Sequence, residues 1–347
     1  MTKRPILALT MGDPAGIGPE ISAKAVLDEQ VHRTSRSFII GDTGVIRKAL
    51  QCAGLSAEIH PITTPDEGLY QQGTIDVLHL GLADENQVQY GQIQAECGAA
   101  AFGYVKKSIE LALDGLVDAV VTAPVNKESL QAAKVPYIGH TEMFADMTGA
   151  KEEMTMFSIL SLKIFFLTRH VSLAQACQMI TQERVFAGIK KTIEALKQLG
   201  LDSPRLAVAG LNPHAGEHGL FGREEVDAIA PAVEQAVASG LNVTGPVPAD
   251  SVFHMGRIGR FDAVLSLYHD QGHIAAKMMD FERTVSVTLG LPILRTSVDH
   301  GTAFDIAGQG IASAISMIEA TRVAAEYANA GVKLTSTQAE RIAGGGK

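Results

Sequence analysis

Three histidines stand just beyond apolar runs: His170 behind "KIFFLTR", His214 behind "RLAVAGLNP" and His269 behind "DAVLSLY". Neutral imidazole is the commonest protein ligand for zinc and related divalent ions, and three of them leave coordination positions open for substrate or water. A cluster that grips an anion uses the same groups, and spacing alone leaves both uses open. His273 and His218 compete for the role, each four residues after a member of the trio. Gly272 weakens a helical face for the first pair, and Gly216 and Gly219 suggest a loop for the second. His140, in "GHTE", suits hydrogen bonding to a phosphate or carboxylate. Lys277 and Arg295 are candidate anion binders, one a point charge and the other a bidentate fork. Asp250 and Asp270 are acids that can serve as metal ligand, proton relay or cap.

These residues need a scaffold that gathers them, and the chain supplies the pattern of one. Short β-branched runs, "PILAL", "RSFIIGD", "TIDVLHL", "DAVVTAPV", "KIFFLT", "RLAVAGLNP", "DAVLSLYHD" and "VSVTLGLPI", read as buried strands ending in turn residues. Between them, "GPEISAKAVLDE", "AAAFGYVKKSIELAL", "ERVFAGIKKTIEALKQLG", "EEVDAIAPAVEQAVASG" and "GIASAISMIEATRVAAEYANAG" carry apolar residues at helical spacing. Strands alternating with helices predict an α/β fold with a mainly parallel sheet covered on both faces. In such sheets ligands gather at the carboxyl ends of strands, where "TAPVNK", "TRH", "LNPHAGE" and "YHDQGH" all fall. The stretch from about Val332 to Lys347 turns polar and glycine-rich, which predicts a mobile end.

The turn "TMGDPAGIGPEIS" at residues 10–22 follows the first apolar run. Gly12, Gly16 and Gly18 do not make G-x-G-x-x-G, and no Lys-Ser/Thr follows in phosphate-loop register. A helix starting near Pro19 fits, because proline is tolerated in a first turn and Glu20 suits the positive end of the helix dipole.

Composition narrows the function classes. A chain of 347 residues can bury a large core and divide into two domains. Its net charge of −9, with no run of Lys and Arg, argues against a nucleic-acid surface. No apolar run reaches the roughly 18 to 20 residues of a membrane span. Three scattered cysteines, Cys52, Cys97 and Cys177, form no redox pair or disulfide framework, and the expectation is a cytoplasmic protein.

In order along the chain, "GDPAGIGPE", "TAPVNK", "GHTE", the histidine after "FFLTR", "LNPHAGE", "PADSVF", "YHDQGH" and "LPILRTSVDHGTAFDIAG" together resemble the 4-hydroxythreonine-4-phosphate dehydrogenase family of pyridoxal phosphate biosynthesis. The opening turn and "DHGTAFDIAG" are also similar to segments of isocitrate and isopropylmalate dehydrogenases. The resemblance implies their fold, two α/β/α domains with a central cleft. Residues 1–125 and 270–347 are expected to build the domain with the cofactor loop, and 126–269 the metal-binding, dimer-forming one.

The resemblance also implies site roles. His170, His214 and His269 match divalent-metal ligands (Zn, Mg, Mn or Co), shared across a homodimer interface. His140, Thr141, Lys277 and Arg295 match substrate-binding positions. His300, Gly301, Thr302 and Ala303 would contact the adenosine half of NAD and Asp305 a ribose hydroxyl, with Gly12 in the turn lining the same cleft. Asp305 favours NAD over NADP, since its carboxylate would repel a ribose phosphate. The implied reaction is NAD-dependent oxidation of a hydroxy acid to a 3-keto acid that loses carbon dioxide, with Asp250, Lys277 or Asp270 handling the proton. The leading substrate is 4-phosphohydroxy-L-threonine, giving 3-amino-2-oxopropyl phosphate. The chain departs from the family at Ser286, where a substrate-binding Asn is usual, and serine lacks the amide's paired donor and acceptor. D-threonate or D-erythronate 4-phosphate and a terephthalate-type dihydrodiol dicarboxylate are therefore alternatives. Two other classes compete: an acyl- or phosphoryl-group transferase without NAD, and a noncatalytic metabolite-binding protein.

Overall fold

The structure is a computed structural model that describes residues 4–151 and 153–332; the polar C-terminal stretch read as mobile lies outside the described residues from Lys333 onward. Among the described residues there are twelve strands: β1 (Ile6–Thr10), β2 (Arg36–Gly41), β3 (Glu58–Ile62), β4 (Thr74–His79), β5 (Ala119–Thr122), β6 (Met154–Ile159), β7 (Leu162–Phe166), β8 (Leu206–Ala209), β9 (Val243–Val247), β10 (Ala263–Ser266), β11 (Val285–Leu289) and β12 (Arg295–Val298). They fall into two compact units, Met1–Glu153 with Gly290–Lys347, and Met154–Leu289.

In the first unit the strand order is β3-β4-β2-β1-β5-β12, and each neighbouring pair is parallel. β1 is apolar except for Thr10, and residues 7–10 are fully buried, as expected of a strand covered on both faces. Helix Ala95–Leu113 buries Val105 and Ile109 against Val120 of β5, and Leu130, Met143 and Phe144 join that cluster. The last three belong to helices Lys127–Ala132 and His140–Thr148. That packing explains why the first unit runs on to Glu153 and does not stop at residue 125.

The second unit departs from the mainly parallel pattern. Its order is β11-β6-β7-β10-β8-β9, with β11 antiparallel to β6 and β6 antiparallel to β7, while the rest are parallel. β6 and β7 form a hairpin through Leu160 and Ser161, Leu160 taking φ 53. The helix His269–Met279 sends Ala276 into a cluster with Phe157, Ile164 and Phe166. Together with the pairing of β11 to β6, this brings residues 270–289 into the second unit, a correction to the boundary expected at residue 269. No helix among the described residues is long and apolar enough to cross a membrane.

Candidate active site

The first unit carries a constellation whose chemistry suits an anion. His140 and Thr141 open the nine-residue helix His140–Thr148, where free N–H groups and the helix dipole favour negative charge. Arg295, the first residue of β12, is 4% exposed; it donates from Nη2 to Thr122 Oγ1 at 3.0 Å and its guanidinium lies 4.8 Å from the Phe144 ring centre. Burial pushes its pKa down to about 9, so it remains charged at neutral pH. Burial, and then the charge of Arg295, hold the His140 imidazole well below its ordinary range, leaving the ring neutral. Its Nε2 is enclosed with no hydrogen-bond partner among the described residues. A buried imidazole nitrogen beside a desolvated guanidinium fits an incoming oxyanion, which either group can bind at a gain.

His140 should therefore show no ring titration between pH 8 and pH 6.5 by NMR. The unfolded chain takes up this proton near 6.5 and the folded chain only at lower pH, so the group's contribution to stability is full above 6.5 and is lost as pH falls below it. A ring that protonates near 6.5 in the folded protein would contradict the burial.

The loop expected to hold a cofactor is fixed to the N-terminal turn within this unit. Thr302 O accepts from Ile17 N at 3.0 Å, and a side chain at Gly16 would strike Thr302. Gly12 takes φ +73, and a Cβ there would sit 2.4 Å from Pro124 O, so its glycine is required by packing. Glu20 accepts from Ala312 N at 2.9 Å and from Lys24 Nζ at 2.6 Å, and Lys24 also donates to the carbonyls of Gly310 and Ala312. Sequence reading credited Glu20 only to the helix dipole; the structure makes it a clamp on this loop. On the loop itself Ala303 takes φ 42, His300 Nδ1 lies 3.0 Å from Gly301 O, Asp305 is exposed, and open space adjoins Gly301. A braced loop with bare backbone at Gly301 fits a nucleotide that approaches the main chain closely. Asp13, fully buried in the same turn, was not singled out from the sequence; burial pushes its carboxyl up, while the Ala15 N–H opposes this at 2.9 Å.

The second unit carries the histidines. His170 and His269 have ring centres 5.9 Å apart and line a pocket of about 500 Å³ with Arg169, Ser172, Gln175, Tyr268 and Asp270. Asp270 Oδ1 lies 2.7 Å from His269 Nδ1, which orients the ring and leaves Nε2 to face a ligand. His273 turns away from ligation: its ring stacks on His269 at 3.6 Å and meets Phe157 and Phe166 at 4.5 Å. The helix that Gly272 argued against does form, and a Cβ at that position would strike Phe166 and Ser266.

His214 sits on a turn of left-handed backbone. Residues 214–218 all have φ between 43° and 79°, and only Gly216 among them is glycine. Such backbone costs non-glycine residues roughly 1–2 kcal/mol each, and it survives where surroundings over-determine it and function uses it. His214 Nδ1 lies 3.4 Å from Glu217 Oε2, the same carboxylate-on-Nδ1 pattern as His269. Buried Glu225 braces the base of the turn, accepting from the N–H groups of Leu211 and Asn212 at 2.7 Å each. Nothing in local spacing marked Glu225, because its partners lie 13 and 14 residues back.

Two of the three expected ligands thus share a pocket, and the third stands on its own turn. Among the described residues of one chain, no three His, Cys, Asp or Glu side chains gather closely enough to hold an ion. The donor chemistry suits a borderline divalent metal: three imidazoles, with Asp270 hydrogen-bonded to Nδ1 of His269 and Glu217 near Nδ1 of His214. Lys277 lies on the His269 helix with Nζ 5.1 Å from the Phe281 ring centre, and Asp250 is exposed in the first turn of helix Ala249–Arg257. Ser286 is half-buried on β11, in register with Phe157 of β6.

The profile described as "Pyridoxal phosphate biosynthetic protein PdxA" matches residues 33–324. A Symbiobacterium thermophilum protein named "Putative D-threonate 4-phosphate dehydrogenase" is 61% identical over 330 residues, covering 95% of this chain and 98% of the relative. The crystal structure of a 4-hydroxythreonine-4-phosphate dehydrogenase from Klebsiella pneumoniae is 41% identical with a TM-score of 0.87, covering 94% and 98% of the two chains. A terephthalate 1,2-cis-dihydrodiol dehydrogenase from Burkholderia xenovorans is 28% identical with a TM-score of 0.64, covering 93% and 98%.

Proposed function

The chain belongs to the PdxA family, and on that premise we propose that it is an NAD- and divalent-metal-dependent dehydrogenase that oxidises and decarboxylates D-threonate 4-phosphate. One observation carries the phosphorylated substrate: desolvated Arg295 beside neutral His140 at a helix N-terminus. Curated relatives between 51% and 61% identical, all named for D-threonate 4-phosphate, support this acid over 4-phosphohydroxy-L-threonine. Ser286 supports the same choice. A single hydroxyl can satisfy the neutral C2 hydroxyl of threonate, but it gives the ammonium of the amino analogue less than an amide carbonyl would.

In this reading His140, Thr141 and Arg295 bind the phosphate and fix the substrate's direction. His170, His214 and His269 hold the metal, with ligands drawn from both subunits of a homodimer in the cytoplasm. The loop from His300 to Asp305 holds NAD. When bound, the divalent ion acts as a Lewis acid on the substrate oxygens, and NAD is the hydride acceptor. Asp270 keeps the His269 ring aligned, as its 2.7 Å contact supports, and is removed from the candidates for general base. Lys277 or Asp250 then receives the hydroxyl proton. Loss of the C3 hydride and the hydroxyl proton leaves a 3-keto acid, whose carboxylate departs as carbon dioxide while C2 takes up a proton from solvent or a protonated side chain, giving dihydroxyacetone phosphate.

The test is NAD reduction with added Zn²⁺, Mn²⁺ or Co²⁺ on a panel of acids. D-threonate 4-phosphate should exceed 4-phosphohydroxy-L-threonine in kcat/KM by at least about tenfold, a difference of one missing polar contact, and S286N should narrow the gap. Faster turnover of unphosphorylated threonate, or of a terephthalate dihydrodiol, would overturn the assignment. Acyl-phosphate turnover without NAD reduction would move the protein to the transferase class.

A further inference from the structure

We infer that Gln271 is a positioning residue for the histidine pocket, its carboxamide tying the helix that begins at His269 to the strand end from which the His214 turn departs. The inference rests on the metal reading above. Gln271 lies in the first turn of helix His269–Met279 and is buried. Its Oε1 accepts from Leu267 N at 2.7 Å, just past β10, and its Nε2 donates to Gly210 O at 2.7 Å, just past β8. One end needs an acceptor and the other a donor, so a carboxamide satisfies both and a carboxylate cannot.

Gly210 is the hinge of this arrangement. Its own N–H donates to Val247 O at 2.7 Å, and the next two N–H groups are held by Glu225. The left-handed turn from His214 to His218 starts two residues later. Of these anchors, the Gln271 amide is the one that reaches the helix carrying His269. Metal ligands must be held within about half an ångström to keep coordination geometry, and strained backbone keeps its shape only through such anchors. The side chain therefore fixes where each of two histidine-bearing segments stands in its own subunit, without touching the ion.

The experiment measures Co²⁺ alone binding to the full-length, metal-stripped chain, by competition with a chromophoric chelator and by the visible absorption of the bound ion. Wild type is compared with Q271E, which keeps the acceptor but faces Gly210 O with a carboxylate, and with Q271L, which removes both bonds. Both variants should lose about 10- to 100-fold in Co²⁺ affinity, the usual cost of disturbing groups that support metal ligands. They should show an altered absorption band and keep wild-type NAD affinity. Wild-type Co²⁺ affinity and spectrum in either folded variant, even with a lowered melting temperature, would make Gln271 a fold residue and overturn the inference. Absence of Co²⁺ binding by the wild type would overturn the metal reading itself, a result that needs no variant.

Discussion

Alanine in place of His269 is expected to lower kcat about a thousandfold with divalent metal present, while NAD affinity stays within twofold of wild type. Polarisation of the reacting oxygen by a bound ion is worth several kcal/mol, and about 4 kcal/mol corresponds to three decades of rate. His269 is the ligand whose setting the structure defines best: it begins a helix, shares a pocket with His170, and has its Nδ1 engaged by Asp270. Its side chain is 38% exposed, the stack on the His273 ring is the ring-on-ring packing the substitution removes besides the His170 contact, and alanine is the better helix former. A fall in activity therefore reports on the site more than on the fold. D270N, which leaves the ring in place but weakens its alignment, should cost about 10- to 100-fold, less than loss of the ring itself. NAD binding, read by calorimetry, is the control, since the loop His300–Asp305 belongs to the other unit. Full turnover by H269A after exhaustive chelation would remove the metal from the reaction.

The features legible in the sequence were those written in local pattern. Apolar β-branched runs located eight strands, and the ends of β7, β8 and β10 placed three histidines after parallel strands. β3 and β9 escaped notice because both are outermost in their strand order and contain proline, which breaks the apolar run that marks a central strand. β12 escaped because "RTSV" is polar although every residue in it is buried. Its first residue is Arg295, so the same polarity that hid the strand is what supplies the anion site. The left-handed turn at 214–218 had only Gly216 and Gly219 as local signal, and four of its five positions are neither Asn, Asp nor Gly, among them His214 itself. Glu225 holds residues 13 and 14 positions back and Gln271 reaches Gly210, 61 positions back, relations that no short window of sequence displays. Chemistry was visible where residue types repeat at strand ends, and hidden where one buried side chain holds another segment in place.

Lysine at position 295 is expected to raise KM for the phosphorylated substrate about a hundredfold at pH 8, and by less at pH 6. The charge-assisted hydrogen bonds of a guanidinium fork are worth about 1.5–3 kcal/mol each, and a lysine cannot reproduce the paired geometry. The pH dependence separates this from simple loss of shape. Burial pushes the Arg295 pKa down to about 9, which still leaves the group charged through the neutral range. A lysine starts from about 10.4, and the same desolvation would bring it to about 7, within reach of assay conditions. At pH 8 most of the R295K molecules then lack the positive charge, and lowering the pH restores it, so KM falls as the solution becomes more acidic. Wild type should show no such recovery over that range, because its guanidinium stays protonated and His140 stays neutral above 6.5. An R295K enzyme with wild-type KM at pH 8 would show that the phosphate is bound elsewhere, and the buried guanidinium beside Phe144 and Thr122 would need a different purpose.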